Sequence, residues 1–232
     1  MIPALNVQIT LPGIRKGIRV AFPVAVSVFA YGLTFGVLAR QAGLSLGEAA
    51  LMSVAVYAGS AQFIALGMWS SPLPAAALIL TTLVVNLRHL LMGASIQPWL
   101  SRLGPRKAYP LAFFITDESW ALSMRELEDG SNDLGFFIGA GVLIFAAWQM
   151  ATLGGHLAGS AVPDPARWGL DFAFPAVFTA LLVSMWKGRS NLLPWIAAAL
   201  TAVIVSKFLP GKWYILLGGL VGSLAGALQH ED

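Results

Sequence analysis

Val84-Val85-Asn86-Leu87-Arg88-His89-Leu90-Leu91-Met92 places a guanidinium and an imidazole inside an apolar run long enough to cross a bilayer. The next run carries the opposite charge, in Ala112-Phe113-Phe114-Ile115-Thr116-Asp117-Glu118-Ser119-Trp120-Ala121. A short polar turn centred near Leu103 separates the two, with Arg88 15 residues before it and Asp117 14 after it. Both arms of an antiparallel helix hairpin rise ~1.5 Å per residue, so the charges are expected to meet at one depth, about 20 Å from the turn. Ionisable groups at that depth are costly. They pair, face the protein interior and mark a route for ions or substrate.

The composition around this hairpin agrees. The chain has 232 residues, 57% hydrophobic and only 11% charged, where soluble domains carry roughly 25% charge. Runs of about 20 apolar residues are the unit of a bilayer span. Spans are predicted at 20–39, 49–69, 74–100, 108–124, 134–157, 169–186, 192–209 and 213–228, of which the fourth is short and polar and the eighth short and Gly-rich. The fold expected is all-α, a polytopic transmembrane helix bundle of seven to eight spans forming one domain over 1–232. Trp69, Trp99, Trp168, Trp186, Trp195 and Trp213 fall near proposed span ends, as an interfacial aromatic belt does, whereas Trp120 and Trp148 are expected to face the interior. The loops are short, and the acidic stretch 126–133 reads as a solvated connection.

Several function classes drop out. The net charge is +3, but the cations are sparse and flank the spans, which is not a nucleic-acid footprint. There is no cysteine, so thiol catalysis and cysteine metal sites are excluded. The three histidines, His89, His156 and His230, lack helical ligand spacing, and His-Glu-xx-His is absent. No metal, cofactor or catalytic residue is expected, and the chain does not read as an enzyme. No phosphate loop of the Gly-xxxx-Gly-Lys-Ser/Thr kind occurs, so nucleotide-driven pumping is not expected either. No signal-peptide pattern opens the chain, and the first span is expected to serve as the insertion signal. The basic cluster Arg15, Lys16, Arg19 before that span favours a cytoplasmic N-terminus.

An internal likeness links Gly17-Ile18-Arg19-Val20-Ala21-Phe22-Pro23-Val24 to Gly169-Leu170-Asp171-Phe172-Ala173-Phe174-Pro175-Ala176, 152 residues later. The first and sixth spans run in opposite directions in an eight-span count, as an inverted repeat over 13–125 and 165–230 requires. Apolar helices rich in Ala, Phe and Pro produce the same likeness without a repeat.

The candidate substrate- or proton-binding residues are Asn86, Arg88, His89, Asp117 and Glu118 in the hairpin, with Tyr57, Ser60 and Gln62 in the second span. A carboxyl in a dry site gains proton affinity unless a cation lies close, so Asp117 or Glu118 is suited to carry a proton. The alternative is a fixed structural pair that locks two helices. Adjacent carboxyls project about 100° apart on a helix, so both are not expected to serve one partner. In Tyr57-Ala58-Gly59-Ser60-Ala61-Gln62-Phe63, Gly59 allows local unwinding that exposes backbone groups to a ligand. A small-residue packing face is the competing reading. Pro23 and Pro175 are candidate hinges, though each alone is an ordinary membrane-helix proline. Gly32 with Gly36 makes a Gly-xxx-Gly packing face, as does Gly218 with Gly222.

On these residues the chain resembles the AzlC family of branched-chain amino acid exporters. The likeness is carried by Gly13 with Gly17, Pro23, Tyr31-Gly32 and Phe35-Gly36, then by 57–63, Asn86-Leu87-Arg88-His89 and Thr116-Asp117-Glu118-Ser119. It is strongest from about Pro12 to Ala121. The resemblance implies a permease of the bacterial cytoplasmic membrane that exports leucine, isoleucine, valine or related amino acids. It also implies a second, smaller membrane subunit of the AzlD type. In such a site Arg88, or a helix N-terminus, suits the substrate carboxylate and Asp117 or Glu118 its ammonium. The competing class is a non-transporting structural or regulatory subunit whose charged hairpin docks a partner permease; a channel or membrane enzyme is less well supported.

Overall fold

The computed structural model describes residues 7–159, 161, 179, 183, 186, 188–189, 192–209 and 213–229. Within them the regular elements are helices, and the extended pairing seen is a single parallel bridge between Gln8 and Asp133. Among the described residues, three helical stretches are long and apolar enough to cross a membrane: Leu11–Gln41, Ala75–Leu103 and Gly135–Gly159. The segment 169–176 that carries the internal likeness, Pro175 with it, and all of the sixth predicted span but 179, 183 and 186 lie outside the described residues. Contacts divide the chain into two units, Met1–Gln62 with Asn86–Pro165, and Phe63–Val85 with Ala166–Asp232.

The first unit is built on α1 (Leu11–Gln41) lying along α8 (Gly135–Gly159). Small residues face each other along the whole seam. A Cβ added at Gly36 would press on the Thr152 carbonyl and lie 2.6 Å from the His156 nitrogen, and one at Gly155 would strike the Leu33 backbone. The two backbones therefore touch, which maximises dispersion where no water exists to drive helices together. Thr10 caps α1 by accepting from Gly13 N at 3.0 Å. Pro23 is exposed within α1, and the helix runs on through it to Gln41.

The predicted spans at 49–69, 74–100 and 108–124 are each interrupted. The first of these becomes α2 (Leu46–Ala55) and α3 (Gly59–Gly67), with Tyr57 between them at φ 42°. The second becomes α4 (Ala75–Asn86) and α5 (Arg88–Leu100), where the ladder slips at Leu87. There Leu90 N bonds back three residues to Leu87 O at 3.0 Å, and His89 Nδ1 takes up the Asn86 carbonyl at 3.2 Å. A 3₁₀ turn, Ser101–Leu103, and Gly104 at φ 74° reverse the chain, as expected near Leu103. The third becomes α6 (Pro105–Ala112) and α7 (Asp117–Glu128). Asp117 thus opens a helix, where the sequence reading places it within one.

A core of Met92, Ile96, Leu100, Ile115, Leu127, Leu134 and Phe137 holds α5, the 113–116 segment, α7 and the start of α8 together. Trp120 packs on this core and donates from Nε1 to Ser95 Oγ at 2.7 Å. Trp148 is buried and stacks on Phe35 at 5.6 Å. The 126–133 connection does more than face solvent. Asp133 accepts from Thr10 N at 3.0 Å, from the Thr10 hydroxyl and from Gly135 N at 2.8 Å, and Glu126 pairs with Lys16. This clasp ties the start of α1 to the start of α8.

In the second unit, α9 (Leu192–Phe208) packs on α10 (Trp213–Gln229). Gly218 and Gly222 meet Ala198, Ala202 and Pro194, so this pair also packs helices rather than binding ligand. Within the same unit Gly67, Met68, Trp69, Ser70, Pro74, Ala77 and Trp213 line a cavity of about 370 Å³.

Candidate functional site

Two helix starts meet one cation. Arg88 Nη2 donates to Ser60 Oγ at 2.6 Å, and Arg88 Nη1 lies 2.7 Å from Asp117 Oδ2. Ser60 stands in the first turn of α3 and Asp117 in the first turn of α7. Each start leaves backbone N–H groups without an intrahelical partner and carries a partial positive charge of about half a unit. Arg88 adds a full one. Asp117 and Glu118, both in the first turn of α7, are therefore placed where the helix field favours carboxylates.

Local sequence makes each start. In α7, Thr116 Oγ1 accepts from Ser119 N at 3.3 Å while Ser119 Oγ accepts from Thr116 N at 2.9 Å, a reciprocal cap. Ser119 Oγ also donates to Phe114 O at 2.6 Å and so pins the segment before the helix. At the α2–α3 break, Gln149 Nε2 donates to Ser53 O at 3.0 Å, a carbonyl in the last turn of α2. Gly59 has no Cβ, and one placed there would sit 3.1 Å from the Trp148 ring, which lets the start of α3 lean on that indole.

The predicted residues do not all gather in one place. Arg88, Ser60 and Asp117 form one cluster. Glu118 is half-buried in the first turn of α7. Only one of the two adjacent carboxyls pairs with Arg88, as the 100° helical offset predicts. Gln62 turns elsewhere, into a fully buried polar knot: its Nε2 donates to Ser53 Oγ at 3.1 Å, and Ser53 Oγ lies 3.1 Å from Thr152 Oγ1. His89 binds the Asn86 carbonyl and reaches neither carboxylate through any described bond. His156, buried near the end of α8, is satisfied by the Leu44 carbonyl at 2.8 Å.

Two features differ from expectation. The cluster is not sealed: the Arg88 side chain is 33% exposed and that of Asp117 49%. An ion pair between two unbroken helices would be buried by its own walls, whereas here the walls end where the charges begin. The surroundings also hold unused polar capacity. Tyr57 Oη, Asn86 Oδ1 and Arg88 Nε are buried with no hydrogen-bond partner among the described residues. Such atoms are costly unless something else satisfies them.

Sequence reasoning missed Gln149, Asp133 and the aromatic rings beside Tyr57. A lone amide in the apolar run 134–157 and an Asp two residues before a helical Gly were the available signals.

Comparison with known proteins bears on this arrangement. The family profile described as AzlC protein matches residues 23–162, which include both helix breaks, Arg88 and Asp117. An uncharacterized membrane protein of Helicobacter pylori J99 is 30% identical over 212 residues, covering 89% of this chain and 91% of its own. The inner membrane protein YgaZ of Escherichia coli K12 is 27% identical, over 92% of this chain and 89% of its own. The branched-chain amino acid transport protein AzlC of Bacillus subtilis 168 is 28% identical, over 79% of this chain and 74% of its own. No solved structure matches. With more than half of the chain inside that profile and membrane proteins similar to it along almost their whole length, this multi-pass helical membrane protein belongs to the AzlC family.

Proposed function

We propose that this protein is a secondary active transporter that exports branched-chain amino acids from the cytoplasm, with a proton moving inward as substrate leaves. The observation that carries the reading is Arg88, held between Ser60 and Asp117 at the starts of two broken helices. A branched-chain amino acid has a carboxylate, an ammonium and an aliphatic tail. The guanidinium and the N-terminus of α3 suit the carboxylate. Asp117 is engaged as the counter-ion of Arg88, which leaves Glu118 for the ammonium or for the proton. Broken helices that bind ligand at their ends are the usual device of secondary transporters, and the Bacillus subtilis relative carries a branched-chain amino acid transport name.

The rest of the reading follows the same lines. The chain crosses the cytoplasmic membrane seven or eight times, with its N-terminus inside and its halves related as inverted repeats. It works with a small second membrane subunit of the AzlD type.

The test uses proteoliposomes loaded with labelled leucine under an imposed inward proton gradient, with the small subunit added. Efflux is expected to follow the gradient, to collapse in Arg88→Gln, and to lose its gradient dependence in Glu118→Gln. Gradient-independent efflux in the unaltered protein removes proton coupling. Unchanged leucine efflux in Arg88→Gln removes the site.

A further inference from the structure

The two breaks that place Ser60 and Asp117 also bring together a group of aromatic rings. Tyr57, in the α2–α3 break, stacks on Phe113 with ring centres 5.4 Å apart and meets Phe145 of α8 edge-on at 5.0 Å. Phe113 and Phe145 touch each other at 5.5 Å, and Phe114 closes the group on both. Tyr57 is 6% exposed and Phe113 41%.

We propose that Tyr57, Phe113 and Phe145 form the wall that receives the apolar side chain of the substrate and so select among amino acids, an inference that rests on an amino-acid site at Arg88. Tyr57 is three residues from Ser60, so the wall begins within about 11 Å of the guanidinium's partner along the chain. Phe113 stands four residues before Asp117. The wall and the polar anchors are thus fixed by the same two segments. A left-handed backbone at a bulky residue persists only where its surroundings impose it. At Tyr57 those surroundings are the two phenylalanine rings. Phe113 lies in the 113–116 segment, held by turn bonds such as Phe114 N to Leu111 O at 3.0 Å, and it is the most open of the three rings. A shift of this ring admits a side chain into the corner where Tyr57 and Phe145 meet edge-on. The Tyr57 Oη, buried without a partner among the described residues, is the polar group of this wall.

Such a wall discriminates by size and polarity. Leucine exceeds alanine by three carbons, and full desolvation of those favours leucine by on the order of fifty-fold. The experiment measures inhibition of labelled leucine efflux, or of leucine binding to the purified protein in nanodiscs, by leucine, alanine and serine. Phe113→Ala and Phe145→Ala are each expected to cut the leucine-to-alanine preference by at least about five-fold while leaving alanine recognition within two-fold. Retained alanine recognition also reports that the variant is folded. Phe113→Trp, which keeps an aromatic filler, is expected to lower the same ratio by crowding. A ratio unchanged within two-fold in all three, with Arg88→Gln still abolishing recognition, overturns the wall and leaves the anchor standing. Full recognition in Arg88→Gln overturns the anchor; the aromatic variants then decide the wall on their own ratio.

Discussion

Removing the charge of Asp117 should weaken the protein only if Arg88 is present to feel it. The pair is short, with Nη1 to Oδ2 at 2.7 Å, and it is monodentate because the other arm of the guanidinium is on Ser60. Two unit charges about 4 Å apart attract by about 1 kcal/mol in water and about 4 kcal/mol at the effective dielectric of a protein surface. Exposed pairs measure about 0.2–1 kcal/mol, and hydrogen bonds to charged groups about 1.5–3 kcal/mol. With Arg88 33% exposed and Asp117 49%, the coupling belongs between those ranges, at about 1–2 kcal/mol. A double-mutant cycle with Arg88→Gln and Asp117→Asn, read by unfolding in micelles, gives the number directly. A parallel cycle of Arg88→Gln with Glu118→Gln is the control, expected to add within about 0.5 kcal/mol. If the Arg88–Asp117 coupling falls below about 0.5 kcal/mol, or if Glu118 couples as strongly as Asp117, the assignment of Asp117 as the counter-ion is wrong.

Four further substitutions test the frame. Gly36→Ala places a Cβ 2.6 Å from the His156 nitrogen and should cost about 1–3 kcal/mol, whereas Gly93→Ala, with nothing within 4 Å, should stabilise by about 0.5–1 kcal/mol; thermal unfolding ranks them. Asp133→Ala removes the acceptor for Thr10 and Gly135 and should speed amide exchange over residues 7–14 while leaving the 135–159 helix protected in its later turns. Gln149→Leu orphans the Ser53 carbonyl and should cost about 1–3 kcal/mol, the penalty for a buried unsatisfied group, with the amides of 53–58 exchanging faster.

The sequence was legible where a local pattern has a single physical outcome. Apolar run lengths marked the three long membrane-length helices at 11–41, 75–103 and 135–159, and the Gly32/Gly36 face lies on α8 as a small-residue stripe should. The convergence of Arg88 and Asp117 followed from their equal distance to the turn. That construction succeeded for a reason it did not contain. It assumed two unbroken arms, and the structure breaks the second arm at 113–116. Thr116-Asp117-Glu118-Ser119 is a capping sequence, and reading it as one would have placed the helix start at Asp117 in advance. The α2–α3 break was legible as a chance of unwinding at Gly59. Its position at Tyr57 was not, because a tyrosine at φ 42° is dictated by Phe113 and Phe145, both distant in sequence. Gln62 was misplaced for a related reason. Only the break decides that its side chain joins Ser53 and Thr152 rather than the Arg88 cluster.

The charge balance at Arg88 leads to a last prediction. Arg88 contributes one positive charge, Asp117 and Glu118 two negative ones, and the starts of α3 and α7 about half a positive charge each. The cluster is therefore close to neutral, with Arg88 and the start of α3 proposed for one pole of the substrate and Glu118 for the other. A ligand that brings net charge leaves one pole of such a site unmatched. A zwitterion with one pole for each side does not. Leucine is expected to compete well, whereas 4-methylpentanoate, which lacks the ammonium, and 3-methylbutylamine, which lacks the carboxylate, should each be weaker by at least about thirty-fold, since each leaves a charged partner unmatched. The aliphatic tail is nearly the same in all three, so the aromatic wall cannot produce the difference. If 4-methylpentanoate inhibits leucine efflux as well as leucine itself, the ammonium is not read and Glu118 has no part in binding; if 3-methylbutylamine does, the carboxylate is not read and Arg88 has none.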